Sequence, residues 1–134
     1  MRARIAGAVV LAALSVACEP ARRSTDPDFI LLESQLSPSG RFRLVKYHYD
    51  IGALGYSRGF AAVTRPVFEG LNLRPYEIPD GYLAEGWSTK DELLLKTWKP
   101  YYDPDNTRTL TTGDELLGVR VVIVGALDQE SFPR

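Results

Sequence analysis

Ser37-Pro38-Ser39-Gly40 is the stretch that decides the fold. Proline at the second position of a four-residue turn pre-sets the backbone. Glycine at the fourth accepts the left-handed conformation that closes a type I turn. The apolar run Phe29-Ile30-Leu31-Leu32-Glu33-Ser34-Gln35-Leu36 precedes it, and a short helix there is the alternative to a strand. Arg41 through Tyr49, dense in β-branched and aromatic residues, follows. Two such runs joined by this turn predict a β-hairpin.

Outward from the hairpin, the strand pattern continues. Asp50 through Gly59 is a glycine-punctuated loop; with Arg58 it offers a nest of backbone N–H groups to an anion, or simply a wide hairpin loop. Phe60 through Arg65 predicts a strand whose small residues allow close packing on one face. Val67 through Asp80 carries Pro75 and Pro79 and is expected to be irregular, with a short extended piece at Leu71-Asn72-Leu73. Gly81–Trp87 and Asp91–Trp98 predict two strands around Ser88-Thr89-Lys90. On the second, Leu93, Leu95 and Thr97 share one face and are assigned to the core. Gly118–Val124 is the last strand, with Val119, Val121 and Ile123 inward; being apolar on both faces, it is expected at the centre of a sheet. No helical period follows the first residues. The fold class is therefore mainly β, a single antiparallel meander sheet or a small sandwich, preceded by a cleaved N-terminal signal helix.

The N-terminus reads as an export segment. Met1-Arg2-Ala3-Arg4 is positive, and Ile5 through Ala17 is 13 residues without a charge. That is short of the about 20 residues a membrane-spanning helix needs and suits a signal peptide. Ser15-Val16-Ala17-Cys18 resembles the lipobox of bacterial envelope lipoproteins, which implies a diacylglycerol-modified Cys18 as the mature N-terminus. Leu14 stands four residues before the cysteine where the family's pattern places it three before, so ordinary secretory cleavage after Ala17 is the alternative. A third is an uncleaved N-terminal helix. Cys18 is the chain's one cysteine, so no internal disulfide forms. By resemblance to enterobacterial sorting, Glu19 after the cysteine leans toward the outer membrane.

The expected division is 1-17 signal peptide, 18-27 flexible tether, 28-128 β-domain and 129-134 C-terminal tail. Glu19 through Pro27 is polar, and Arg22-Arg23 within it would meet anionic headgroups. Removing Arg2 and Arg4 from 16 basic residues leaves 14 against 17 acidic, a net charge of −3. That excludes a nucleic-acid partner, which calls for a basic stripe.

A second resemblance concerns the turns. Ser37-Pro38-Ser39-Gly40-Arg41-Phe42 resembles the turn that opens strands in periplasmic β-propeller blades, and Gly86-Trp87-Ser88 through Asp91-Glu92-Leu93 resembles its partner turn. The chain is too short for a closed propeller. The order of these motifs from Leu36 to Trp98 is more similar to that of small bacterial lipoproteins of unknown function, which implies location and fold but no activity.

Chemistry-bearing clusters are sparse. Asp103, Asp105 and Thr107 alternate oxygen donors, with Asp114 at the twelfth position counted from Asp103, as in some calcium loops. Arg108 stands where such a loop wants glycine, so an ordinary turn is favoured and neither metal nor cofactor is expected. His48, the single histidine, stands between Tyr47 and Tyr49 next to Asp50, and the nearest hydroxyls, Ser57 and Thr64, lie in no nucleophile-elbow context, so a half-buried strand histidine is expected. The pairs Asp91-Glu92 and Asp114-Glu115 are adjacent, and neighbours on a strand point apart, so they cannot flank one bond. Trp87, Trp98, Tyr101 and Tyr102 are the candidate ligand or partner face, able to stack on a sugar or seat a protein. The expectation is a non-enzymatic envelope lipoprotein, membrane-held through lipidated Cys18, that binds another envelope component through a sheet edge or an aromatic face. A small-ligand or glycan binder is the alternative.

Overall fold

The computed structural model describes residues 20–50, 59–98 and 106–127. The expected signal helix, Cys18 and the C-terminal tail lie outside them. Among the described residues seven strands form: β1 (Phe29–Leu36), β2 (Arg43–Tyr49), β3 (Gly59–Thr64), β4 (Tyr82–Trp87), β5 (Leu93–Thr97), β6 (Glu115–Leu116) and β7 (Val119–Ala126). A one-turn 3-10 helix, Arg74–Tyr76, lies between β3 and β4. The strands make two open sheets, of order β1-β2-β3 and β4-β5-β7-β6.

The hairpin reading holds. β1 and β2 pair antiparallel from Phe29↔Tyr49 to Leu36↔Arg43, with a bulge between Leu31 and Glu33. The turn is tied as its residues dictate. Gly40 N donates to Ser37 O at 2.9 Å, and Phe42 N donates to Ser37 Oγ at 3.1 Å. Gly40 sits at φ 77° with open space around the position of a Cβ. Gly40→Ala therefore costs only the left-handed backbone penalty, about 1 kcal/mol. Gly59→Ala, with space and no such penalty, costs nothing measurable; denaturant titration of the two variants checks both.

The β4–β5 turn repeats this design. Asp91 N donates to Ser88 O, Glu92 N donates to Ser88 Oγ, and Asp91 takes the left-handed position at φ 59°. The two turns meet: Ser39 N donates to the Asp91 carboxylate at 2.9 Å, and the Ser39 side chain first, then this N–H, hold that carboxyl below the usual range.

The first sheet is a meander, as expected. The second departs from it at one junction, because β5 and β7 run parallel. Parallel neighbours need a crossover of about a dozen residues or more, and the Lys99–Asp114 connection is long enough to supply one. The β6–β7 hairpin then leaves β7 between β5 and β6, the central place its two apolar faces suggested.

Alternation along β2 and β3 sends side chains to two cores. Leu44 and Val63 join Leu93, Leu95, Val121, Leu110 and Leu116 from the second sheet's side. Val45, Tyr47 and Ala62 point the other way, onto Leu73, Phe60, Phe68 and Leu71. The first sheet is thus the middle layer, with the second sheet on one face and the 68–77 segment on the other. Each fully buried Leu or Val is worth about 1.5–3 kcal/mol of transfer free energy. Leu93 and Leu95 are buried as assigned, as are Val119 and Val121, with Ile123 packed at the margin.

Two expectations are corrected. Leu71-Asn72-Leu73 is not a strand; Leu73 is fully buried and leads into the 3-10 helix that Pro75 favours. Residues 22–27 of the expected flexible tether are docked. Leu73 N donates to Arg22 O at 2.7 Å, Arg22 N donates to Asn72 Oδ1 at 2.9 Å, and Arg23 Nη1 donates to Gly70 O at 2.6 Å. Polar composition argued for solvent. The segment instead finds its partners along 70–74.

Candidate functional site

Two features of the first sheet stand out: the outer edge of β1 and the strap that closes the sheet's buried face. They begin from one contrast. The edge at β3 is covered, since Ile78 N donates to Ala61 O at 2.8 Å and Ala62 bridges to Glu77. The edge at β1 is not: among the described strands it pairs with β2 alone.

β1 has the wrong composition for an edge. Edge strands are ordinarily blunted by charge, proline or bulges, and runs of apolar residues belong to strands covered on both sides; β1 carries the bulge between Leu31 and Glu33 but neither charge nor proline over residues 29–32. Here Ile30, Leu31 and Leu32 are 38%, 48% and 60% exposed. The charged residue that follows, Glu33, is turned to its neighbour strand, where Lys46 lies at 3.1 Å and holds its carboxyl below the usual range. Leu31 also lines a shallow cleft of about 600 Å³ with Phe29, Pro66, Phe68 and Val67, the last 73% exposed. Ser24 contributes to the same wall a buried hydroxyl without a hydrogen-bond partner. Arg43 lines it too, but is spent on structure, donating to Pro66 O and Ser34 Oγ at 2.8 Å each.

The strap is the N-terminal segment around Arg22. Its guanidinium lies 3.9 Å over the Phe60 ring and pairs with Glu77, whose other oxygen accepts from the Tyr47 hydroxyl. Burial pushes the Glu77 carboxyl above the usual range, against the pull of Tyr47 and Arg22. Burial, then the neighbouring carboxylate, drives the Tyr47 hydroxyl far above its ordinary value. A second tyrosine, Tyr49, donates to Asp26 at 2.9 Å; its hydroxyl too is raised, by burial first and Asp26 next. Perturbed groups in a cleft mark a site of chemistry, but none of Glu77, Tyr47 and Tyr49 lines the cleft. They close the strap onto the sheet.

The expected aromatic face is not assembled by what is described. Trp87 is half-buried at the seam between the sheets, stacked on Phe42 with centroids 6.3 Å apart, its Nε1 donating to Gln35 O at 3.1 Å. Trp98 is half-buried at the end of β5, its backbone N–H donating to Gly81 O. Tyr101 and Tyr102 lie outside the described residues, as do Arg58 and the calcium-loop candidates Asp103 and Asp105. Asp114 caps a turn by accepting from Thr111 N at 2.8 Å. Among the described residues no three His, Cys, Asp or Glu side chains gather to hold a metal ion. His48 lies on β2 opposite Ile30. Glu92 receives Ser88 Oγ and faces Arg120 at 3.5 Å, a turn role.

Sequence reasoning missed the Arg22–Glu77–Tyr47 group. The available signal was slight: one carboxylate, Glu77, in an otherwise apolar and proline-flanked run before Ile78-Pro79. No protein-family model, no curated protein and no solved structure matches this chain.

Proposed function

We propose that this chain is a bacterial envelope lipoprotein, non-enzymatic, held at the membrane through acylated Cys18, whose β-domain captures an extended segment of another envelope protein along β1. The observation that carries the reading is the apolar, solvent-exposed edge at Ile30-Leu31-Leu32. A strand added to an open edge gains main-chain hydrogen bonds, and exposed side chains on both faces supply selectivity. Leu31 and the cleft beside it would take apolar side chains on one face, and Ile30, opposite His48, on the other. The signal-like segment before Cys18 supports the address, and the outer membrane is the leaning that Glu19 gives it.

A photo-crosslinking side chain at Leu32 in intact cells tests the partner. The expected result is one adduct, with the crosslink mapped to a single extended peptide of a different protein and abolished by Leu31→Lys. Leu31 is half-exposed, so the substitution leaves the fold intact. Labelling no more selective than that from Lys90, at the tip of the β4–β5 turn, contradicts the reading. So does a crosslink within this chain or to a second copy of it.

A further inference from the structure

The cleft beside β1 is built in part by the strap. Arg23 through Asp26 is a four-residue turn, closed by Asp26 N donating to Arg23 O at 3.0 Å and by Arg23 N donating to Asp26 Oδ2 at 2.9 Å. Both ends are pinned to the domain. Arg23 Nη1 donates to Gly70 O at 2.6 Å, and Tyr49 Oη donates to Asp26 Oδ2 at 2.9 Å. Ser24 and Thr25, between those ends, are thereby held in the cleft wall.

The lining says what the cleft takes. Phe29, Leu31 and Phe68 give it apolar and aromatic surface. Phe29 and Leu31 stand two apart on β1 and share a face, so a strand paired with β1 sets alternate side chains over that face. Arg43 and Glu69 add one charge of each sign. An ionised side chain would meet a like charge as well as an opposite one, so a neutral occupant is favoured. Ser24 supplies the remaining condition. Its Oγ is buried without a hydrogen-bond partner, a costly state that native structures rarely leave unanswered. Ser24 as a residue is half-exposed, and a hydroxyl that bonds nothing can change rotamer without breaking a hydrogen bond. It is therefore able to turn to an occupant of the cleft.

We propose that the cleft is a specificity pocket for a tyrosine of the captured segment, its ring against Phe29, Leu31 and Phe68 and its hydroxyl on Ser24 Oγ. This rests on capture along β1 and names the side chain that the capture selects. Tyrosine meets each condition: it is neutral, its body is aromatic, and its tip seeks a hydrogen bond when buried and can donate or accept it. Phenylalanine would fill the same space and leave Ser24 orphaned. The strap is then part of the site, and Arg23 and Asp26 are the positioning residues that fix the turn presenting Ser24.

The test uses the full chain and capped peptides of about seven residues, the length of an ordinary strand. They alternate threonine and valine around a central tyrosine, phenylalanine, lysine or glutamate. Affinity is measured, and the backbone amide resonances of β1 locate the binding. The tyrosine peptide should bind tightest and the phenylalanine peptide about fivefold more weakly, the worth of one neutral hydrogen bond. Lysine and glutamate should be weaker still. Ser24→Ala should bring the tyrosine peptide down to the phenylalanine level and leave the phenylalanine peptide where it was. The same substitution removes an unpartnered hydroxyl, so it should not lower the unfolding temperature. Equal binding of tyrosine and phenylalanine, a preference for tyrosine that survives Ser24→Ala, or a loss of stability in that variant overturns the pocket, while resonance shifts confined to β1 keep edge capture standing. Tightest binding by lysine or glutamate overturns the choice of a neutral occupant. If no peptide shifts β1, or if Leu31→Lys leaves binding intact, the pocket and edge capture fall together.

Discussion

Replacing Arg22 with methionine is expected to lower folding stability by about 3–5 kcal/mol, the usual cost of stranding a buried charge. Glu77 is only 5% exposed at its side chain, and Arg22 is its cationic partner. Methionine keeps much of the volume over Phe60 but leaves the carboxylate with the Tyr47 hydroxyl and the weaker pull of Arg74. For a domain of this size each kcal/mol moves the midpoint of thermal unfolding by on the order of 4–8 °C. The deficit should depend on pH in a definite direction. The folded-state pKa of Glu77 is already raised, and losing Arg22 raises it further. A raised folded-state pKa gives stability that is present below the unfolded value, about 4.3, and lost as pH rises through the folded value. The variant should therefore lie closest to the parent near pH 4 to 5 and fall furthest behind by pH 8. Glu33 and Asp91, whose carboxyls are lowered, cancel in this difference because neither touches Arg22. Adding Glu77→Gln to Arg22→Met removes the stranded charge and should recover part of the loss and nearly all of its pH dependence. A deficit of the same size at every pH would mean that Arg22 acts by packing alone.

Leu44→Ala should cost about 2–5 kcal/mol, the range for truncating a buried leucine where the site cannot collapse. Leu44 is fully buried and lies on the first sheet's side of the core shared with Leu93, Leu95 and Val121 of the second. Its loss opens a cavity between the sheets and spares the packing within either. The account expects tryptophan fluorescence, from Trp87 at the seam and Trp98 after β5, and far-ultraviolet circular dichroism to lose stability together, in one shifted transition. Two separated transitions would show that the sheets fold as independent units.

How far the sequence could be read follows from the range of the interactions involved. The Ser37–Gly40 turn was legible because proline and glycine write their own backbone angles. The inward sets on β5 and β7 were legible because period-two alternation is local. The parallel pairing of β5 with β7 was not, since register between distant strands depends on which faces remain to be covered. The strap was misread for a related reason. Arg22 in a polar, proline-containing run signals solvent by composition, and its burial depends on Glu77, 55 positions away. Trp87 was read as a surface aromatic because an indole suits a binding face equally well. Gln35 O and the Phe42 ring claim it for the seam. The open edge was visible only as an anomaly: Phe29-Ile30-Leu31-Leu32 has the composition of a covered strand, and the topology places it outermost.

The proposed anchoring at Cys18 places the open edge in the cell envelope, and the mass of the mature N-terminal peptide from the membrane fraction tests it most directly. The account predicts a peptide beginning at Cys18 and carrying a diacylglyceryl group. A peptide that begins elsewhere, or one that begins at Cys18 with a free thiol, contradicts it.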